Sequence, residues 1–376
     1  MSAPEPRRVL IATVSMTTAS GTITYTRDLA LALLRQGWLP IVYTTRTGPQ
    51  AEVLRDASIP VVTHLAAVGE PPDVIHGHHA LETLAAMTRF PDVPALFVCH
   101  DGLTWHSIPP RLPRIRRIVA VDRHCRDRIL FEQGRAREDV QVFTNAVDLA
   151  RFVPRSPLPE KPRRALVFSN LARENSFVAP IREACAQRGI EVDVVGEASG
   201  EAVDHPETIL PQYDIVFGKA RCAIEAAAAG TAVVVCDAYG MAGMLTAARL
   251  EEMRVLNFGR RTLQFPVTTE NVLRELDRYH PEDAAEVSAR IRTSNGADLL
   301  ATQFIALYEE MLRDPVRSGP EEMTALSATL ETIADKLYGQ MEDGASRQKA
   351  LTAILNSKLL GPVLRFAWRR KRRARG

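Results

Sequence analysis

Short apolar runs alternate with helix-forming segments along most of the chain, and this alternation restricts the fold more than any other feature. Residues 9–14 (VLIATV) precede a polar turn with Gly21, and helix-forming residues 23–35 lead to a second apolar run at residues 39–44. Strands buried on both faces of a parallel sheet are apolar throughout, and helices connect them. The pattern therefore predicts an α/β protein built on doubly wound sheets.

A proline-rich stretch at residues 148–164 interrupts the alternation, which then resumes. A chain of 376 residues is long enough for two separate cores. We predict one doubly wound domain over residues 1–150, a second over residues 165–300, and C-terminal helices with a basic tail over residues 301–376. Doubly wound sheets bind ligands beyond the carboxyl ends of their strands, which places the expected ligand in a cleft between the domains.

Two local predictions concern the C-terminal half. Residues 255–258 (VLNF) are expected to form a strand that ends at the same sheet edge as the other ligand-facing loops. Two amphipathic helices are expected at roughly 321–341 and 345–358. They could pack as a hairpin or mediate association, and the sequence does not choose between these roles.

The composition of the chain argues against some classes of function. The net charge is only +2, so the chain as a whole shows no preference for nucleic acid. Its five cysteines are scattered without a CxxC pair, as in reduced proteins, and the first apolar run is too short for a signal sequence. We expect a cytoplasmic protein with no nucleic-acid partner.

The last residues, Arg365 to Arg375, are almost entirely basic and adjoin aromatic and aliphatic side chains. This composition is typical of an anchor for anionic membranes, which would make the protein peripheral at the inner face of the cell membrane. A disordered, solubilising tail is the alternative.

Residues 218–240 carry the clearest binding signal. Alanines precede a glycine and a β-branched run, which predicts a helix followed by a buried strand. A helix N-terminus beside Lys219 and Arg221 suits a phosphate, and Glu225 would accept hydrogen bonds from ribose hydroxyls. The alternative is a packed alanine helix with three solvated charges.

Four motifs resemble bacterial glycosyltransferases of family four. They are SGTITYTRDLALALLRQGW at residues 20–38, DVIHGHHALETLAA at 73–86, NAVDLARFVPR at 145–155 and AIEAAAAGTAVVVCD at 223–237. The resemblance implies the GT-B architecture, in which two Rossmann-like domains face each other across a cleft. It also implies transfer of a sugar from a nucleotide-diphosphate sugar to an acceptor, with retention and without a metal or other cofactor.

Site residues follow from the resemblance position by position. Glu225 would hold the ribose of the donor, while Gly21 and Thr22 would bring backbone N–H groups near the diphosphate. Lys219 and Arg221 are the cations nearest to that site.

The sequence departs from the family pattern in two places. In the loop SNLARENSF the usual basic pair is reduced to Arg173, and Asn170 replaces an arginine. Phe217 stands eight positions before Glu225, where the family has a glutamate that contacts the donor sugar.

Gly240, after the glutamate helix and its strand, would offer a backbone N–H to the donor or would only form a tight turn.

The resemblance places His100 at a strand end near the sugar, with Asp101 beside it as a catalytic pair; the alternative is a structural histidine in a turn. His78 and Trp105 are expected on the acceptor side, although the loop of Trp105 is equally consistent with a mobile surface loop. A metal site at the nearby histidines is not expected, because no carboxylate or cysteine accompanies them in a recognised spacing.

The acceptor would be a polysaccharide, a lipid-linked molecule or a small metabolite. A hydrolysing nucleotide-sugar epimerase and a non-catalytic sugar-nucleotide-binding protein remain alternatives.

Overall fold

The computed structural model describes residues 6–18, 20–174, 176–201, 203–313 and 319–356, the last seven of these by their backbone alone. The basic tail at residues 365–375 lies outside the described residues. The chain divides into two compact units, Met1–Ser318 and Gly319–Gly376.

The N-terminal sheet has seven parallel strands in the order β3-β2-β1-β4-β5-β6-β7. The strands are β1 (Arg8–Thr13), β2 (Leu39–Thr44), β3 (Val61–Val62), β4 (Val74–Gly77), β5 (Ala95–Cys99), β6 (Ile115–Ala120) and β7 (Val140–Val142). The helices between them are α1 (Gly21–Arg35), α2 (Pro49–Asp56), α3 (Ala80–Arg89) and α4 (Arg123–Gln133). Strand order reverses between β1 and β4, so the loops after these strands open a crevice there.

The second sheet has five strands in the order β12-β11-β10-β8-β9, and β12 alone is antiparallel to its neighbour. The strands are β8 (Arg164–Phe168), β9 (Glu191–Val195), β10 (Ile215–Gly218), β11 (Ala232–Asp237) and β12 (Gly240–Met244). The helices are α5 (Val178–Gln187), α6 (Pro206–Ile209), α7 (Arg221–Ala228), α8 (Leu250–Arg254), α9 (Thr269–Leu276) and α10 (Pro281–Ser294). Separate apolar clusters pack against the two faces of this sheet. The predicted α/β architecture with two Rossmann-like domains is confirmed.

Helix α11 (Ala297–Arg313) returns from the second sheet to the first. It packs beside α1, and its fully buried Tyr308 contacts the ring of Trp38 and bonds His76. Residues of α11 therefore complete the core of the N-terminal domain.

Two predictions of local structure are wrong. Residues 255–258 form turns after α8, with positive φ at Asn257 and Phe258, and the apolar side chain of Phe258 is buried from a turn. The expected pair of helices after residue 320 is one continuous helix, α12 (Pro320–Asn356), because neither Gly339 nor Gly344 interrupts it. Across the described ranges, no helix is both long and apolar enough to span a bilayer.

Candidate functional site

A cavity of about 570 Å³ lies between the two sheets, at the carboxyl ends of their strands; we call it the cleft. It is lined by residues 21–22, 100–103, 121–122, 124–125, 145, 168–171, 219–222, 239, 257 and 259–260. Most of these segments directly follow a strand, which is where parallel sheets place their ligands.

Three helix N-termini reach the cleft, and two of them lack a side-chain cap. Helix α4 is capped by Asp122, whose carboxylate accepts a hydrogen bond of 2.7 Å from the N–H of Cys125. Neither Ser20 before α1 nor Ala220 before α7 accepts such a bond. The first turns of α1 and α7 therefore present backbone donors and positive dipole ends from opposite domains.

The turn before α7 has an unusual backbone. Ala220 has φ 49° and ψ −124°, a conformation that residues with a Cβ rarely adopt, and its N–H donates to the carbonyl of Phe258. Asn257 and Phe258 also have positive φ. The side-chain oxygen of Asn257 accepts from the backbone N–H of Asn145, so this turn also joins the second domain to the first.

Lys219 and Arg260 form a cationic rim on the side of the second domain. The Lys219 ammonium pairs with the fully buried carboxylate of Asp237 at the end of β11. Both cations approach the ring of Tyr239, at 5.3 Å for Lys219 Nζ and 4.3 Å for Arg260 Cζ. The exposed tyrosine thus holds two positive charges where they face the cleft.

Arg221 is buried in an ion cluster that spans both domains. Its Nη2 lies 2.6 Å from Asp28 on α1 and 2.9 Å from Glu225 one helical turn away. Burial opposes the charged form, but the two carboxylates outweigh it and raise the pKa of the guanidinium above its usual value. Arg27 and Arg151 approach Asp28 as well.

A group of histidines lies on the side of the cleft that the N-terminal domain forms, with His78 buried and His100 half-buried. His100 Nε2 is 2.7 Å from His78 Nδ1, and the ring of Tyr25 meets both imidazoles edge-on. Burial lowers the pKa of His78 and His100 well below the ordinary value, and neighbouring histidines lower it further. Both rings are therefore neutral at physiological pH. Within the described ranges, no three metal-ligating side chains converge so as to hold a metal ion.

Asp101 shapes the loop that follows β5. Its Oδ1 accepts backbone hydrogen bonds from Leu103 at 2.5 Å and Thr104 at 3.4 Å. Arg128 on α4 donates to the carbonyls of Asp101 and Thr104. The carboxylate therefore orders a turn beside the cleft and is less free to act as an acid or a base.

Residues 19–151 match the family described as Glycosyltransferase Family 4, a stretch that covers most of the N-terminal domain. Two solved structures superpose with a TM-score of 0.56: a glycosyltransferase from Rickettsia africae ESF-5 and Anabaena Alr3699/HepE in complex with UDP and glucose. They are 12% and 13% identical to this chain, cover 83% and 81% of it, and are each matched over 100% of their own length. The chain has the GT-B fold, and its N-terminal domain is similar to Glycosyltransferase Family 4.

A putative UDP-N-acetylglucosamine 2-epimerase from Listeria monocytogenes is also similar, with a TM-score of 0.50 and 17% identity over 83% of this chain and 98% of that one. No curated protein matches significantly. The family match concerns the N-terminal domain, and the solved structures show that most of the chain shares their fold.

The GT-B cleft brings together more than half of the residues that the sequence predicted for the site. Those that line it are Gly21, Thr22, His100, Asp101, Asn170, Lys219 and Arg221. Among them Arg221 differs from the expectation, because Asp28 and Glu225 occupy its guanidinium. Arg260 and Lys219, which has one carboxylate partner where Arg221 has two, are therefore the cations better placed for a diphosphate.

Five predicted residues do not line the cleft: His78, Trp105, Arg173, Glu225 and Gly240. His78 is fully buried behind His100, and Glu225 is only 5% exposed because it pairs with Arg221. Arg173 is exposed, and Trp105 begins a short 3₁₀ turn, Trp105–Ser107. Gly240 starts β12, where an added Cβ would meet the carbonyl of Phe265 at 2.7 Å, so packing explains this glycine.

Phe217 has a structural explanation. It lies inside β10, fully buried in the core of the second domain. Only Lys219 and Ala220 separate β10 from α7, so a residue eight positions before Glu225 falls within the strand. A carboxylate at position 217 would therefore lie in this apolar core and not in the cleft.

Several residues that line the cleft were not predicted from the sequence. Asp122 and His124 lie at the start of α4 after β6, Arg260 belongs to the cationic rim, and Tyr239 is the ring that both rim cations approach. The strand-end position of Asp122, followed by a helix, is a signal that the sequence did contain. Arg260 carries no comparable signal, because it lies in an irregular turn far from any strand end.

Proposed function

We propose that the chain is a metal-independent glycosyltransferase that binds a nucleotide-diphosphate sugar in the cleft. The observation that carries this proposal is the pair of uncapped N-termini of α1 and α7, which face one cavity from opposite domains beside Lys219. Helix N-termini and a cation neutralise a diphosphate without a metal. A protein of the same fold, Anabaena Alr3699/HepE, was solved in complex with UDP and glucose, which supports this class of ligand.

In the proposed reaction the bond between the anomeric carbon and the diphosphate breaks, while a bond to an acceptor oxygen forms on the same face. The acceptor proton passes to an oxygen of the departing diphosphate, so no side chain has to act as the base. The first turns of α1 and α7, together with Lys219 and Arg260, stabilise the charge that develops on the leaving group.

His100 is proposed to orient the sugar. As a neutral imidazole it adds no charge near the cationic anomeric centre, and its bond to His78 fixes the plane of the ring. The acceptor class stays as proposed from the sequence: a polysaccharide, a lipid-linked molecule or a small metabolite. We also propose that residues 365–375 contact anionic membranes. Truncation of the chain at residue 358 tests this contact, because it should abolish binding to liposomes.

The decisive experiment compares nucleoside diphosphates with the corresponding nucleosides. For Lys219→Gln we expect about tenfold weaker binding of the diphosphate that stabilises the wild type, and unchanged binding of the nucleoside, because only the diphosphate contacts the rim. Calorimetry or thermal shift measures both. Lys161→Gln removes an exposed lysine from the interdomain linker and is the matched control.

Failure of every nucleoside diphosphate to bind would overturn the cleft assignment. Turnover of the nucleotide sugar without any acceptor would instead identify a hydrolysing epimerase. Tight binding with no turnover on any acceptor would favour a non-catalytic binding protein.

A further inference from the structure

A second cavity, of about 250 Å³, adjoins the cleft; we call it the hinge pocket. It is lined by residues 123, 126, 142–144, 146, 254–255, 294–296, 300 and 303. Three of these lining residues are arginines: Arg123, Arg126 and Arg254. Among the described residues that line the pocket, there is no aspartate or glutamate.

The hinge pocket lies where the chain passes between the domains. The backbone N–H of Val147 donates to the carbonyl of Asn295 at 2.8 Å, and that of Ala297 donates to Val147 at 2.9 Å. Arg123 and Arg126 belong to α4 of the N-terminal domain, whereas Arg254 ends α8 of the second domain. A ligand in this pocket would therefore contact both domains at the crossing.

The same three segments line both cavities with different residues. On α4, Arg123 and Arg126 line the hinge pocket, while His124 and Cys125 line the cleft. After β7, Thr144 lines the hinge pocket and Asn145 lines the cleft. After α8, Val255 lines the hinge pocket and Asn257 lines the cleft. The two cavities are thus distinct, with a thin common wall.

The arginines are incompletely paired. Arg123 is exposed, and its side chain forms no ion pair or hydrogen bond within the described part of the chain. Arg126 is largely buried, its Nε has no partner among the described residues, and its nearest carboxylate, on Asp127, is 3.5 Å away. That carboxylate also pairs with Arg261.

Arg254 is oriented by Glu251, at 2.6 Å, which does not line the pocket. The Arg126 side chain remains 12% exposed, so its guanidinium carries charge that an anion in the pocket would offset.

We propose that the hinge pocket binds a phosphate group, either free or carried on a small molecule. Guanidinium groups match phosphate oxygens in geometry and charge, and here they come from both domains without a competing carboxylate in the lining. Thr144 and Gln303 add polar groups at the walls. The proposal does not depend on the reaction in the cleft.

The test titrates the full chain with inorganic phosphate at constant ionic strength, with chloride as the balancing anion, and follows binding by calorimetry. We expect saturable binding that Arg123→Gln weakens about tenfold. Because Arg123 is exposed, this variant should fold as the wild type does; Arg254→Gln is the second test from the other domain. Arg137→Gln, another exposed arginine of the N-terminal domain, is the matched control and should bind as the wild type does.

Lys219→Gln separates the two cavities. Phosphate binding that is unchanged in Lys219→Gln and about tenfold weaker in Arg123→Gln supports the hinge pocket. Binding lost only in Lys219→Gln places the ion in the cleft and overturns the proposal, as does the absence of saturation in the wild type. A phosphate monoester tested in parallel distinguishes the two sources, since tighter binding than inorganic phosphate indicates a carried group.

Discussion

Ala220 shows how one residue can store strain beside the cleft. Its φ of 49° positions the first turn of α7, and its side chain contributes no cap. Such a conformation costs about 1–3 kcal/mol for a residue with a Cβ. We therefore expect Ala220→Gly to raise the free energy of unfolding by about 1 kcal/mol, measured by denaturant titration.

Ala223→Gly is the control within the same helix. Ala223 is buried in regular α-helix, so its replacement by glycine should lower stability by about 1 kcal/mol. If both substitutions destabilised the protein equally, Ala220 would not be strained.

The histidines that link β4, β5 and α11 make stability depend on pH. Burial lowers the pKa of His76 to about 3, and its Nδ1 bonds the Tyr308 hydroxyl at 2.5 Å. Burial, aided by His106, also lowers the pKa of His79 to about 3. In the unfolded chain these groups titrate near pH 6.5, so unfolding at lower pH takes up protons.

The stability that these neutral histidines contribute to the folded protein is therefore fully present above pH 6.5. It is lost as the pH falls from 6.5 towards 3. We expect His76→Gln to reduce the slope of unfolding free energy against pH, between pH 6.5 and 5, by up to about 1.4 kcal/mol per pH unit. His64→Gln, at an exposed histidine outside this group, serves as the control. An unchanged slope for His76→Gln would show that His76 is already protonated in the folded protein.

At the level of elements, the sequence predicted most strands because parallel strands buried on both faces are apolar runs. The same reasoning failed at residues 255–258, since a buried turn can be as apolar as a strand. It missed the interruption-free helix α12 because a single glycine costs only about 1 kcal/mol in a helix. It also missed β12, whose glycines are poor strand formers.

For the whole molecule, the buried ion cluster of Arg221, Asp28 and Glu225 is a polar link between the domains. Asp28→Asn would leave Arg221 with Glu225 alone and should lower the free energy of unfolding by about 3 kcal/mol, because removing one partner strands buried charge. Denaturant titration measures the effect. Asp298→Asn, which breaks an exposed pair with Arg35, should cost less than about 1 kcal/mol. Equal losses in the two variants would mean that the cluster adds no special stability.

The cluster also explains why the site could be predicted only in part. Strand ends in a doubly wound sheet can be located from sequence, and His100 and Lys219, which follow two of them, line the cleft. Whether a side chain faces the cleft depends on distant partners. Arg221 was expected to bind phosphate, but its guanidinium donates to Asp28, 193 positions earlier in the chain. No local sequence pattern reveals that contact.

The return of α11 to the first sheet has a consequence for synthesis. The second domain is one uninterrupted stretch, from β8 to α10, whereas the first needs Tyr308 to cover His76 and Trp38. Because chains leave the ribosome from the N-terminus, the domain made first can be finished only after the domain made second has emerged. Pulse-labelled nascent chains should therefore acquire protease resistance in the second domain before the first.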